Sequence, residues 1–182
     1  MKILLASALL LFSAWSSAWS WAQDDLGPQG PAVKMAPAPV VTVVQGKAGN
    51  VTLEFRVASG YHINSNLPKS EFLIPTVLKV EATTDIVIGK TTYPEGQDMS
   101  FAFDPDEKLS VYTGDFKIDV QVRPLHSVQA GKYVIRGTLK YQACDNAACY
   151  PPKQLPISFD VKIAKAPPAS RKNPAQSPDV HQ

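Results

Sequence analysis

KYVIRGTLKYQACDNAACYPPKQLPISFDVKI, Lys132 to Ile163, holds both cysteines of the 182-residue chain. Its first part, Lys132 to Ala143, and its last, Leu155 to Ile163, are rich in β-branched and aromatic residues and read as strands. Between them Asp145-Asn146-Ala147-Ala148 is a polar and small-residue run with the composition of a turn. The stretch therefore reads as a β-hairpin whose tip sets Cys144 and Cys149 facing each other. Directly opposed residues of an antiparallel pair have Cα atoms ~4.5–5.5 Å apart, within the range a disulfide accepts. Such a bond can form and break without moving the backbone far.

One detail conflicts with an uninterrupted strand. Ile135, Leu139 and Tyr141 share a face, and strict alternation puts Cys144 on the other, with Arg136, Thr138 and Lys140. Either the strand ends or bulges near Gln142, or the cysteines point outward at the rim.

Period-two patterning continues away from the hairpin. Val51, Leu53, Phe55 and Val57 alternate with Thr52, Glu54 and Arg56, and Phe116, Ile118, Val120 and Val122 alternate with charged and polar residues. Val40 to Val44, Val77 to Glu81 and Ile86 to Tyr93 are further strand candidates. Turn signals at Ser59-Gly60, Pro94-Glu95-Gly96 and Ala130-Gly131 separate them. No window carries a helical stripe. The fold class expected is all-β, an immunoglobulin-like β-sandwich with flexible N- and C-terminal segments.

The ends differ from this core. Residues 1–22 have Lys2, an apolar run from Ile3 to Phe12 and a small-residue end at Ala22, the parts of a signal peptide cleaved before Gln23. Residues 23–39 and 164–182 are rich in Pro and Ala without periodicity, and are expected to be a flexible leader and a disordered tail. One domain is expected over 40–163. The apolar start is shorter than the ~20 residues of a spanning helix, and no mature segment reaches that length, so no membrane span is expected. The chain reads as exported, to a periplasmic or comparable compartment.

Charge points away from polyanions. The sequence has 18 Lys+Arg and 16 Asp+Glu, and loss of Lys2 with the leader brings the net charge from +2 to +1. Nothing in that balance calls for nucleic acid as a partner.

An exported chain with two nearby cysteines is expected to pair them. Whether the bond is a staple or a reagent stays open on the residues alone. Closing a loop of about six residues contributes only roughly 2 kcal/mol, little for a domain with so many apolar strands. A thioredoxin-type Cys-x-x-Cys at a helix N-terminus is excluded, because four residues intervene and no helix follows. His62 is the histidine best suited to stabilise a thiolate if it stands beside the pair as an imidazolium, against a plainer role as a loop histidine bonded to backbone. His126 and His181 are isolated. No Cys/His spacing supports a metal, and no cofactor is expected. Tyr141 and Tyr150 flank the cysteines, either stacking around the sulfurs or packing as strand residues.

Three blocks resemble a known family. YQACDNAACYPPKQLPISFDV at Tyr141–Val161, ASGYHINSNLPKSEFLIPTVLKV at Ala58–Val80 and TTYPEGQDMSFAFDPDEKLSVYTGDFKIDVQV at Thr91–Val122 look like the N-terminal periplasmic domain of the thiol:disulfide interchange protein DsbD, the disulfide bond corrector family. The resemblance implies an immunoglobulin-like domain in which Cys144 and Cys149 are the redox pair. It also implies periplasmic thioredoxin-like partners, of the disulfide isomerase or cytochrome c maturation type, and electron relay rather than self-standing enzyme chemistry. Since the full-length family protein continues into membrane and thioredoxin-like domains, a stand-alone chain would need a separate membrane or thioredoxin-like reductant.

The family shields its pair with an aromatic cap loop, and the region resembling it here reads Phe101-Ala102-Phe103-Asp104. Phe101 or Phe103 is then the candidate cap, and Asp104 a candidate carboxylate. Two tyrosines near the disulfide of familiar members fall at His62 and Asn64, and the cysteine spacing is one residue shorter. The competing expectation, from a different class, is a non-catalytic immunoglobulin-like binding module whose hairpin disulfide is structural.

Overall fold

The computed structural model describes residues 30–82, 85–101 and 104–168. The described residues form the strands β1 (Val33–Met35), β2 (Val41–Val44), β3 (Gly49–Val57), β4 (His62–Asn64), β5 (Val77–Glu81), β6 (Ile86–Thr92), β7 (Gln97–Phe101), β8 (Asp104–Tyr112), β9 (Asp115–Pro124), β10 (Gly131–Tyr141), β11 (Ala143–Cys144) and β12 (Lys153–Ala164). They make three four-stranded sheets, ordered β1-β3-β9-β6, β2-β12-β10-β5 and β11-β4-β8-β7. Only β2 and β12 pair in parallel, with Val41 opposite Val161.

The first two sheets face each other as the expected immunoglobulin-like sandwich. Alternation along β3 buries Val51, Leu53, Phe55 and Val57, and alternation along β9 buries Phe116, Ile118, Val120 and Val122. From the second sheet, β10 contributes Ile135, Leu139 and Tyr141, and β12 contributes Ile157, Phe159, Val161 and Ile163, to the same core. Each fully buried side chain of this size stabilises the fold by about 1.5–3 kcal/mol, so this shared layer is the main source of cohesion. Gly137 lets β5 approach β10, since a Cβ there would stand 2.4 Å from the carbonyl oxygen of Lys79.

Two boundaries differ from the sequence expectation. The segment read as a flexible leader contains β1, in which Val33 opposes Val57 on β3, and Ala32 and Val33 are fully buried. Covering the hydrogen-bonding edge of β3 and burying two apolar side chains outweighs a Pro- and Ala-rich composition. At the other end β12 continues through Ala164, and Ala166 N donates to Gln45 Oε1 at 3.0 Å, so the ordered chain extends past residue 163. The signal segment 1–22, leader residues 23–29 and tail residues 169–182 lie outside the described residues.

The third sheet is the larger departure, for β4, β7 and β8 were not anticipated. All three residues of β4 are buried, so the segment shows no alternation to read. A smaller cluster of Phe101, Leu109 and Val111, with Leu73 against it, packs under this sheet.

The conflict near Gln142 resolves as a strand end. β10 and β12 stay in register from Gly131↔Ile163 to Tyr141↔Lys153. Beyond Tyr141 the chain leaves that sheet, and Ala143 and Cys144 join the third sheet opposite Ile63 and His62. Both residues of β11 are consequently buried.

Candidate functional site

Cys144 and Cys149 are joined by a disulfide, with an S–S distance of 2.06 Å and Cα atoms 4.0 Å apart. They form an isolated antiparallel bridge at the hairpin tip, as the turn composition of the four intervening residues predicts. The two ends differ in access. Cys144 is fully buried on β11, and Cys149 is exposed.

Asp145 builds the loop between them. Its Oδ1 accepts from the backbone N–H groups of Ala147 at 2.8 Å and Ala148 at 2.9 Å, and its Oδ2 accepts from the Tyr150 hydroxyl. Its own N–H donates to Ala148 O at 3.0 Å, closing the turn. The phenol, and then the two amides, hold the Asp145 carboxyl below its ordinary pKa. The same carboxylate pushes the Tyr150 phenol up to about 12. Asp145 escaped the sequence reading, although an Asp opening a turn is the residue that best accepts from the amides two and three positions on.

Gln142, at the strand break, ties the hairpin to β4. Its Nε2 donates to Tyr150 O at 3.2 Å, while its Oε1 accepts from Asn64 Nδ2 at 3.2 Å and from Ile74 N at 3.4 Å. Asn64 is fully buried and donates also to Ile74 O at 3.0 Å. It thus supports the hairpin from behind. Tyr150 lies against Tyr61, with ring centroids 6.1 Å apart. Tyr141, by contrast, is 2% exposed within the sandwich core, where burial raises its phenol pKa and a hydrogen bond with the Val33 backbone opposes that rise. Of the two flanking tyrosines, Tyr141 packs in the core and Tyr150 belongs to the hairpin.

His62 stands opposite Cys144 across the β4–β11 pair. Its ring stacks on Phe101, with centroids 3.9 Å apart and planes at 16°. Burial lowers its pKa to about 4, against the opposing pull of Asp145. Burial thus favours the uncharged imidazole while the disulfide is closed. His62 also lies on a strand rather than in a loop, and its buried Nε2 has no hydrogen-bond partner among the described residues.

Phe101 is 6% exposed at the end of β7 and covers the His62 ring. Phe103 lies outside the described residues, and Asp104 is described only by its backbone, at the start of β8 opposite Phe101. Beside the hairpin an open cleft of about 550 Å³ is lined by Tyr61, His62, Met99, Phe101 and Asn146, among others. Among the described residues no three His, Cys, Asp or Glu side chains converge as metal ligands, and both sulfurs are engaged with each other.

Fold and site together define an immunoglobulin-like β-sandwich domain that presents one disulfide at a hairpin tip. The chain belongs to the family of N-terminal domains of the thiol:disulfide interchange protein DsbD, whose family model matches residues 30–160. Among solved structures it is similar to the DsbD N-terminal domain of Neisseria meningitidis in the reduced form, at 19% identity and a TM-score of 0.41, covering 62% of this chain and 78% of that one. It is also similar to the N-terminal periplasmic domain of ScsB from Proteus mirabilis, at 14% identity and a TM-score of 0.44, covering 75% of this chain and 48% of that one. A search of curated proteins finds no match.

Proposed function

We propose that this chain is an exported thiol–disulfide exchange protein that cycles the Cys144–Cys149 bond and relays reducing equivalents to periplasmic protein partners. Family membership supports exchange chemistry in general. The observation that carries the reading is the unequal access of the two sulfur-bearing residues, with Cys149 exposed at the tip and Cys144 closed behind it. An incoming thiolate attacks Sγ of Cys149, the S–S bond breaks, and its electron pair leaves on Sγ of Cys144. A second thiol of the donor then attacks the mixed disulfide, which releases Cys149 and leaves the donor oxidised and this protein reduced by two electrons. In the forward relay, Cys149 attacks a partner disulfide and Cys144 resolves the mixed disulfide.

On this reading the partners are thioredoxin-like proteins, with disulfide isomerases and cytochrome c maturation proteins the specific candidates. The reductant is a dithiol of the membrane-domain or thioredoxin-like kind. Export by cleavage before Gln23 brings the mature chain to the periplasm.

The test is trapping. Cys144→Ser leaves Cys149 without its resolving partner, and in a periplasmic extract it should accumulate mixed disulfides that dithiothreitol releases. Cys149→Ser should accumulate far fewer. If neither variant forms an adduct, the relay is overturned and the hairpin disulfide is the staple of a binding module.

A further inference from the structure

Four observations meet at His62. It is the antiparallel partner of Cys144, and directly opposed residues project to one face with Cβ atoms ~4.5–5.5 Å apart. It is 3% exposed, and Cys144 is fully buried. Its ring is fixed in orientation by stacking on Phe101 at 3.9 Å. Its Nε2 is buried and has no hydrogen-bond partner among the described residues. A buried polar nitrogen left unpaired is costly, and native proteins rarely keep one without a use.

The disulfide form offers that nitrogen little, because a bridged sulfur has no proton and is a weak acceptor. Reduction changes the neighbour. When the S–S bond opens at Cys149, the electron pair arrives on Sγ of Cys144, a buried anion with no access to water. We infer that His62 is a positioning residue for the dithiol state, its Nε2 hydrogen-bonding Sγ of Cys144 once the disulfide opens. As a neutral imidazole protonated at Nε2 it donates to the nascent thiolate. After the sulfur takes up a proton, the other tautomer accepts from the S–H. The contact exists only in the reduced form, so it favours reduction and lets the buried sulfur leave.

The stack on Phe101 gives this role its selectivity. It holds the ring in one plane, so that Nε2 keeps its direction whether the bond is open or closed. His62 acts through Cys144 and does not itself form a covalent link. The electrons come from the attacking dithiol, and the two protons on the product thiols come from that dithiol as well.

The inference rests on the exchange reading only in that the disulfide opens. The test therefore uses dithiothreitol rather than a protein partner. In the unaltered mature protein, the imidazole nitrogen signals of His62 are followed by NMR in the oxidised and dithiothreitol-reduced forms. The expected result is a displacement of the Nε2 resonance on reduction, with His126 and His181 unchanged. An unmoved Nε2 resonance overturns the inference. As a second readout, His62→Phe keeps the ring stack without the nitrogen and should shift the equilibrium with a glutathione couple several-fold toward the disulfide. His62→Gln, which can donate and accept, should recover most of that shift. Equal equilibria for all three proteins also overturn it. Failure to trap a partner leaves this result untouched, and an unresponsive imidazole leaves exchange itself standing.

Discussion

The Tyr150 hydroxyl donates to the carboxylate of Asp145 across the loop that the disulfide closes, so one ion organises both sides of the tip. The phenol is held up to about 12 by that carboxylate. Its folded pKa lies above the ordinary value of about 10. The contribution of this bond to stability is therefore fully present below about pH 10 and is lost as pH rises from there toward 12. A difference titration of phenolate absorbance between the unaltered protein and Tyr150→Phe should show one tyrosine ionising near that upper value. In Asp145→Asn the same phenol should ionise lower, nearer the ordinary value of about 10. A Tyr150 that titrates identically in both proteins removes the hydrogen bond from the account.

Asp145→Ala should also loosen the turn. The amides of Ala147 and Ala148 lose their acceptor, and their hydrogen exchange should speed up by roughly tenfold. Exchange in β3 and β9 should not change, because those strands belong to another sheet. Acceleration throughout the molecule would mean that the loop supports the frame.

Acid should weaken the fold through His62. Its folded pKa, about 4, lies below the ordinary 6.5. Between these values the unfolded chain binds a proton that the native ring does not, so the contribution is complete above about pH 6.5 and is lost as pH falls toward 4. The loss is on the order of 3 kcal/mol. Denaturant midpoints measured across this range should fall more steeply for the unaltered protein than for His62→Phe. Parallel curves would show that the ring takes up its proton equally in the folded and unfolded chain, so that burial does not shift it.

Gly137→Ala tests the close approach of β5 and β10. The added methyl meets the Lys79 carbonyl, and displacing a strand backbone should cost about 1–3 kcal/mol. A denaturation midpoint equal to that of the unaltered protein would show that β5 yields freely. Because the site lies on a different sheet, thiol exchange rates should be little altered by this change.

The sandwich was legible where apolar and polar residues alternate for several turns of the pleat, as along Val51–Val57 and Phe116–Val122. The hairpin was legible from turn composition between two β-rich runs. The third sheet was not. His62, Ile63 and Asn64 are all buried, and β8 reads Asp104-Pro105-Asp106-Glu107-Lys108 before its apolar end, so neither segment carries the period. β1 is three residues inside a Pro-rich stretch and gains its structure from the edge of β3. The state of His62 was beyond sequence reasoning for a related reason. Burial lowers its pKa, and part of its surroundings is a residue distant in sequence, Phe101, whose contact no local pattern announces.

The chain changes sheet at Gln142, and this separates two kinds of wear. The long ladder of β10 and β12 ends at Tyr141↔Lys153, while Cys144 sits on a two-residue strand of another sheet and Cys149 bridges to it from the loop beyond. If the bond opens and closes as proposed, the change falls on a small, locally braced tip and spares the ladder. Each round would then not be a partial unfolding.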